Sequence, residues 1–222
     1  MRGPVSPLHL ITFVLLLLFL MVFVQFGLVT LAFGKLGLTT SQGMLLLFAS
    51  LFGSVLNLPV TSIKAEHPNK ETEKAMQRGL LRIPQLPFTG RTIVAVNVGG
   101  CMVPLVFSAS LIHGFTISWP NIGLAVLLCA GICYAISRPV AGIGIGMPML
   151  IAPLAAAIVA LAIGGKTAAP LAYIAGTTGV IIGADLLHLK DIAKLGAPVV
   201  SIGGAGTFDG IFLTGIVAVL LT

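Results

Sequence analysis

Charge is scarce in this 222-residue chain: Asp, Glu, Lys and Arg make up 8% of it, against about 25% in soluble domains. So few ionic groups cannot cover a water-exposed surface, so most of the solvent is expected to be lipid. Acids are scarcest, with six in all, and after Glu73 only Asp185, Asp191 and Asp209 remain. Aromatics are sparse at 7%, with one tryptophan, and are not interleaved with basic patches. Nothing resembles a nucleic-acid module, although the net charge is +6. The three cysteines, Cys101, Cys129 and Cys133, all fall in apolar stretches. Cys129 and Cys133 share a helix face, but two thiols fall short of the usual four-ligand metal set. They read as small hydrophobes, and neither a metal nor a cofactor is expected.

Long apolar runs are what the chain does have, at 57% hydrophobic residues. They are continuous and do not alternate, which selects transmembrane helices over a barrel. The N-terminal run from "MRGPVSPLHLITFVLLLLFL" onward is about twice the 7–15 residues of a signal-peptide core and has no clear cleavage site, so it reads as an uncleaved span. A span needs about 20 apolar residues. Seven fit: 8–33, 43–60, 92–112, 121–137, 148–164, 170–188 and 199–221. The expected fold class is therefore all-α, a polytopic transmembrane helical bundle of six to eight spans with residues 1–222 as a single integral membrane domain.

Basic residues orient such a bundle, because cytoplasmic loops hold the excess of Lys and Arg. The 61–91 loop carries Lys64, Lys70, Lys74, Arg78, Arg82 and Arg91. With that loop in the cytoplasm, Arg2, Arg138, Lys190 and Lys194 lie on the same side, and only Lys35 and Lys166 lie outside. Ten of twelve basic residues are then inside, with the N-terminus in and the C-terminus out of a cytoplasmic membrane. Lys70, Lys74, Arg78 and Arg82 recur every fourth residue, as a basic stripe on a helix would. The stripe fits an interfacial helix on anionic lipid headgroups. A solvated loop fits as well and is favoured, because Gly79 and Pro84 limit helix length. Trp119 and Pro120 mark an outer interface. The expected partner is the lipid bilayer; a homo-oligomer is compatible with the sequence.

Helix association in lipid rests on close backbone approach at small residues. Ala152, Ala156, Ala160 and Gly164 line the fifth span, Ala175, Gly179 and Gly183 the sixth, and Gly206 and Gly210 the seventh. Spans five to seven are expected to pack tightly. "RPVAGIGIGMP" (138–148) alternates Gly142, Gly144 and Gly146 between two prolines, which a helix would not choose. It is either a plain loop or extended backbone lining a cavity.

The acids are the anomaly. A carboxylate at bilayer depth costs roughly 2.5–3.5 kcal/mol on insertion scales and usually has a function. Asp185 precedes Lys190 by five residues, with His188 and Asp191 following at three-residue intervals as a polar ridge. Asp209 lies within the last span, after Gly203, Gly204 and Gly206. Three glycines so close disfavour a continuous helix there, so the last span is expected to be glycine-broken, with Thr207 as N-cap and Asp209 in the first turn of a half-helix. Thr177, Thr178, Ser201 and Thr207 could add neutral oxygen ligands to an ion or solute site at Asp185, His188 and Asp209.

"GTTGVIIGADLLHL" (176–189), "SIGGAGTFDGIFLTGI" (201–216) and "YAISRPV" (134–140) resemble a prokaryotic multi-pass membrane family, the domain-of-unknown-function family 1614. That resemblance implies a prokaryotic membrane protein and no activity. A partial similarity extends to intramembrane aspartyl proteases, which carry an aspartate after a tyrosine, another in Gly-x-Gly-Asp, and a Pro-Ala-Leu element. Here Gly183-Ala184-Asp185 lacks the first glycine, Tyr134 precedes Ala135, and Pro153-Leu154-Ala155 has another order. Three readings follow. The first is a transporter or channel-like protein with a proton or cation site at the acids. The second is an aspartyl hydrolase using Asp185 and Asp209, and the third a non-catalytic scaffold. The first asks least of the residues, since it needs no carboxylate dyad.

Overall fold

The first described helix, α1 (Phe26–Lys35), is stopped by glycine. Gly37 adopts φ 74°, its N–H bonds Gly34 O at 3.0 Å, and Leu38 N–H bonds Phe33 O at 2.9 Å. This left-handed cap satisfies the last carbonyls of the helix. Two residues on, Thr39 starts α2 (Thr40–Gly53) with a capping box closed by Gln42. Stop and start together turn the chain by 108°.

The computed structural model describes residues 26–65, 90–140, 144–194, 199–204 and 210–222. After α2 come β1 (Asn57–Lys64), β2 (Arg91–Asn97), a π-helical turn at Val98–Met102, α3 (Val103–Gly114) and α4 (Trp119–Ile136). A small hairpin, β3 (Arg138–Val140) and β4 (Gly144–Gly146), leads to α5 (Ile151–Ile163). A 3-10 turn at Gly165–Thr167, α6 (Ala168–Val180) and a second π-helical turn at Ile181–Leu186 form one long helical stretch. Then follow α7 (Leu189–Lys194), β5 (Val199–Ile202) and α8 (Gly210–Leu221).

The chain is mostly helical, and the all-α expectation is corrected by a three-stranded sheet in the order β1-β2-β5. β2 runs antiparallel to β1, with Asn57 opposite Asn97, and parallel to β5, with Ile93 opposite Val199. The expected spans 43–60, 92–112 and 199–221 each overlap one of these strands. Their sequences, NLPVTSIK, RTIVAVN and VVSI, are rich in β-branched residues, which suit a pleated surface. Hydropathy alone does not separate such runs from buried helix. Pro59 sits at a register shift in edge strand β1, where its missing N–H costs no ladder bond. Within "RPVAGIGIGMP", residues 138–140 and 144–146 are extended and pair as β3 and β4.

Among the described residues, two helical stretches are long and apolar enough to cross a membrane: Trp119–Ile136 and Gly165–Asp191. The bent pair α1 and α2 passes the same test together. α6 is the central helix, packed by α3, α4, α5 and α8, and nearly every one of its residues is buried. The small-residue stripes make this possible. Ala152, Ala156, Ala160 and Ala175 are fully enclosed, and a methyl group added at Gly215 would lie 2.8 Å from both Thr177 and Tyr173. Outward faces are apolar instead: Leu127, Val106 and Ile158 are 70%, 68% and 65% exposed.

The helices share two ends. At one, Lys35 Nζ lies 3.4 Å from the carbonyls of Val219 and Leu220, a cation at a helix C-terminus. Gly37 approaches Phe115, and Asn121 Nδ2 donates to Ile163 O at 2.9 Å, just before Lys166. The sheet, the hairpin and both π-helical turns lie at the other end, with Lys64, Arg91, Arg138 and Lys190. There Val94, Cys101, Cys133, Ile181, Ala184, Ile202 and Ile211 form a second apolar core under the sheet.

Candidate functional site

Three interruptions of regular backbone converge at the sheet end. The first is the turn after β2. Asn97, fully buried, caps it by accepting from Gly100 N–H at 2.7 Å. Its amide donates to Ser54 O at 2.6 Å and to Asn57 Oδ1 at 3.0 Å, so one side chain ties α2, β1, β2 and the π-helical turn together. Ser201 on β5 donates to the same Asn57 oxygen. Ser50 donates to Gly99 O at 2.8 Å, and only glycine fits at 99, because a methyl group there would overlap Ser50 O and Ser54 N.

The second interruption follows β5. Gly203 and Gly204 take φ 83° and 95°, the left-handed region that glycine enters freely. Gly203 is pressed on the first turn, within 2.8 Å of Cys101 N and Gly100 C at its would-be Cβ. The third is the π-helical turn at Ile181–Leu186, which ends in a Leu187 N–H bond to Ile182 O at 3.0 Å. π-helical turns are rare and often mark functional sites.

Asp185 joins the second interruption to the third. Its Oδ2 accepts the Gly203 N–H at 3.2 Å, a charge-assisted bond when the carboxyl is ionised. The half-buried carboxylate therefore sits at the turn that follows β5.

The other expected site residues distribute around this contact. His188 is buried; its Nδ1 lies 3.1 Å from Gly183 O and its ring centroid 4.8 Å from that of Tyr134. The π-helical turn and the turn after it replace the straight helix expected to 188, so Asp185 and His188 engage different partners. Asp191 is half-buried in the first turn of α7. Thr177 and Thr178 lie two turns before Asp185 on α6, with Thr177 bonded to Ser108 Oγ at 2.9 Å rather than to the acid. Ser201 lies on β5, two residues before Gly203. Gly206, Thr207 and Asp209 lie outside the described residues, as do Lys70, Lys74, Arg78 and Arg82. Among the described residues no three His, Cys, Asp or Glu side chains gather as for a metal ion. Cys101, Cys129 and Cys133 are all buried, with Cys129 and Cys133 under Gly179 and Gly183.

Asn57, Asn97, Ser50 and Ser54 were not singled out from the sequence. The available signal was an amide inside an apolar run, which needs internal partners, together with the Asn97-Val98-Gly99-Gly100 turn pattern. Asn97→Ala is expected to lower stability by about 3 kcal/mol, at about 1–3 kcal/mol for each buried group left unpaired. Chemical unfolding in detergent measures it, and a loss below about 1 kcal/mol would remove Asn97 as the tie of the junction.

No curated protein and no solved structure matches the chain. A family model does, that of "Protein of unknown function (DUF1614)", over residues 51–221. The matched stretch contains Ser54, Asn57, Asn97, Asp185, Gly203 and the central helix α6. With more than half of its length matched, the chain belongs to the family of Protein of unknown function DUF1614.

Proposed function

We propose that the chain is an integral membrane protein that moves a proton or a small cation through a site at Asp185. The contact between Asp185 Oδ2 and Gly203 N–H carries this reading. Irregular backbone at membrane depth is stable where it lines a cavity or a site, and transporters place ion sites where spans are interrupted. Here a carboxylate on the long α6 stretch meets left-handed glycines before the helix α8.

Lipid as solvent is supported by the apolar outward faces of α3, α4 and α5. Seven segments remain part of this reading, although α2 has 14 residues, α5 has 13 and α8 has 12, each below the roughly 20 that a straight span requires. Lys35 and Lys166 cluster at one end and Lys64, Arg91, Arg138 and Lys190 at the other. That division supports a cytoplasmic sheet end in a prokaryotic plasma membrane, with anionic headgroups beside the 61–91 loop.

A second reading, intramembrane aspartyl hydrolysis by Asp185 and Asp209, draws on the same contact, since Gly203 precedes Asp209 by six residues. One reconstitution separates the two. Purified chain in liposomes is expected to dissipate an imposed proton, Na+ or K+ gradient, and Asp185→Asn to slow this at least about tenfold, the effect of some 1.4 kcal/mol on a barrier. Unchanged flux in both Asp185→Asn and Asp209→Asn would sink the transport reading. Cleavage of a membrane-anchored peptide, lost in both variants and without ion flux, would install the hydrolase.

A further inference from the structure

The β1–β2 hairpin carries a surface that the Asp185 site does not use. β1 is an edge strand, and its outer backbone edge has no neighbouring strand among the described residues. Its foot is apolar and open: Leu58 and Val60 are exposed, Val60 by 67%, as are Val55 and Leu56 just before the strand. Its tip is basic. Lys64 lies directly opposite Arg91 of β2, and both are exposed. Foot and tip are far apart, because seven steps from Asn57 to Lys64 cover about 23 Å at roughly 3.3 Å per residue.

Like charges directly opposite each other destabilise a strand pair, so the Lys64–Arg91 pairing favours an anion beside it. The described residues hold two acids, Asp185 and Asp191, and both lie outside the hairpin. The bonds that hold Arg91 are to neutral groups. Its Nε donates to Ser62 Oγ at 3.1 Å and its Nη2 to Ser62 O at 3.3 Å, which ties the guanidinium to β1. Arginine has five N–H donors, and these two bonds leave the others for a ligand. The position of the hairpin follows from its two demands. Exposed apolar side chains favour lipid, but an open strand edge cannot lie in hydrocarbon, where nothing satisfies its N–H and C=O groups. Both demands are met at the boundary between acyl chains and headgroups. We propose that the β1–β2 hairpin lies in that boundary, with Leu58 and Val60 against acyl chains and Lys64 and Arg91 together holding the phosphate of an anionic phospholipid.

This proposal rests on the membrane part of the reading above, not on transport, and it turns a general attraction to headgroups into a site. A phospholipid fits better than a free anion, because one strand presents both an apolar and a basic demand and one lipid meets both. The guanidinium fork matches phosphate oxygens in pairs, and the lysine adds a point charge. The same placement sets the depth of the Asp185 contact. Ile202, next to Gly203, pairs with Val96 at the foot of the hairpin, so that contact lies on the bundle side of the headgroups.

The test uses purified full-length chain in mixed phosphatidylglycerol and phosphatidylcholine, with bound lipid counted by mass spectrometry. Wild type is expected to retain phosphatidylglycerol over phosphatidylcholine. Lys64→Gln and Arg91→Gln should each lower that preference about fivefold, and the double variant about twenty-five-fold, since a cation at an anionic surface is worth roughly 1 kcal/mol. Lys166→Gln, at the other end, should not change it. Arg91→Lys keeps the charge and should retain more of the preference than Arg91→Gln; equal losses would reduce Arg91 to a structural tie to Ser62 and overturn the proposal. A preference unchanged in the double variant would overturn it, as would inorganic phosphate raising the unfolding temperature as much as phosphatidylglycerol does. Depth is read from spin labels at Val60→Cys and Leu127→Cys in nanodiscs, with the unsubstituted chain, whose three cysteines are buried, as the blank. The Val60 label is expected to be reached by oxygen, at a shallower level than Leu127. A Val60 label as deep as Leu127, or one in bulk water while Leu127 is in hydrocarbon, would overturn the hairpin placement alone. A Leu127 label in water would remove the membrane reading with it.

Discussion

Gly203→Ala is expected to destabilise the protein by about 2–5 kcal/mol, from two costs at one atom. The first is conformational. Gly203 has φ 83°, and a left-handed conformation costs an L-residue about 1–2 kcal/mol. The second is steric. The new methyl carbon would lie 2.7 Å from Cys101 Cβ and 2.8 Å from Cys101 N and Gly100 C. Two of those atoms are backbone in a turn that Asn97 holds, so they have little room to yield, and forcing a methyl group into packed structure costs about 1–3 kcal/mol. Any shift of Gly203 also draws its N–H from Asp185, so on the proposed transport reading ion flux is expected to fall along with stability. Gly165→Ala separates the two costs, because Gly165 has φ 51° and open space around its would-be Cβ. Thermal unfolding in detergent should show the larger fall for Gly203→Ala. Equal falls would mean that the close approach to Cys101 is not a constraint.

The double variant Gly179→Ala/Gly183→Ala is expected to lose folded, monodisperse protein on size exclusion. At Gly183 a methyl carbon would lie 2.2 Å from Ala130 O and 2.9 Å from Cys133 Cβ; at Gly179 it would lie 2.6 Å from Cys129 Cβ. The central helical stretch touches α4 through its backbone at these points, so α4 has to move. Each forced methyl group costs about 1–3 kcal/mol, against the roughly 0.5–1 kcal/mol that alanine gains over glycine within a helix. Gly131, on α4 with nothing near its would-be Cβ, is the control. Gly131→Ala removes a helix-interior glycine without a clash and should hold or raise the unfolding temperature. A double variant as stable as wild type would mean that α4 and α6 do not make this approach.

Several features of this site are local in the sequence and are found where spacing put them. The Ala and Gly stripes of the fifth and sixth spans face the core because residues four apart share a helix face. The last span is interrupted at Gly203 and Gly204 because successive glycines favour conformations that no helix uses. Residues 138–140 and 144–146 of "RPVAGIGIGMP" are extended for a related reason. The strands were not legible: Val, Ile and Thr in NLPVTSIK and RTIVAVN satisfy a hydropathy window as well as a helix does, and only pairing across the chain selects the sheet. The Asn57–Asn97–Ser201 tie joins residues 40 and 144 positions apart, beyond the reach of any local pattern. The three-residue spacing of Asp185, His188 and Asp191 implied a ridge. The π-helical turn changes the phase there, and Asp185 meets Gly203 N–H while His188 meets Gly183 O.

By itself, the sequence determined that the chain is mostly helical and apolar on its outside, which residues let helices approach, and where charge is scarce enough for one aspartate to matter. Composition and helical period settle those points, because burial and solvent are properties of local pattern. Tertiary structure alone decided that Asp185 meets Gly203, that a sheet closes one end of the bundle, and that Tyr173 lies fully buried at its centre. Those depend on which distant segments touch, and contact between segments is chosen by packing and hydrogen bonding across the whole fold.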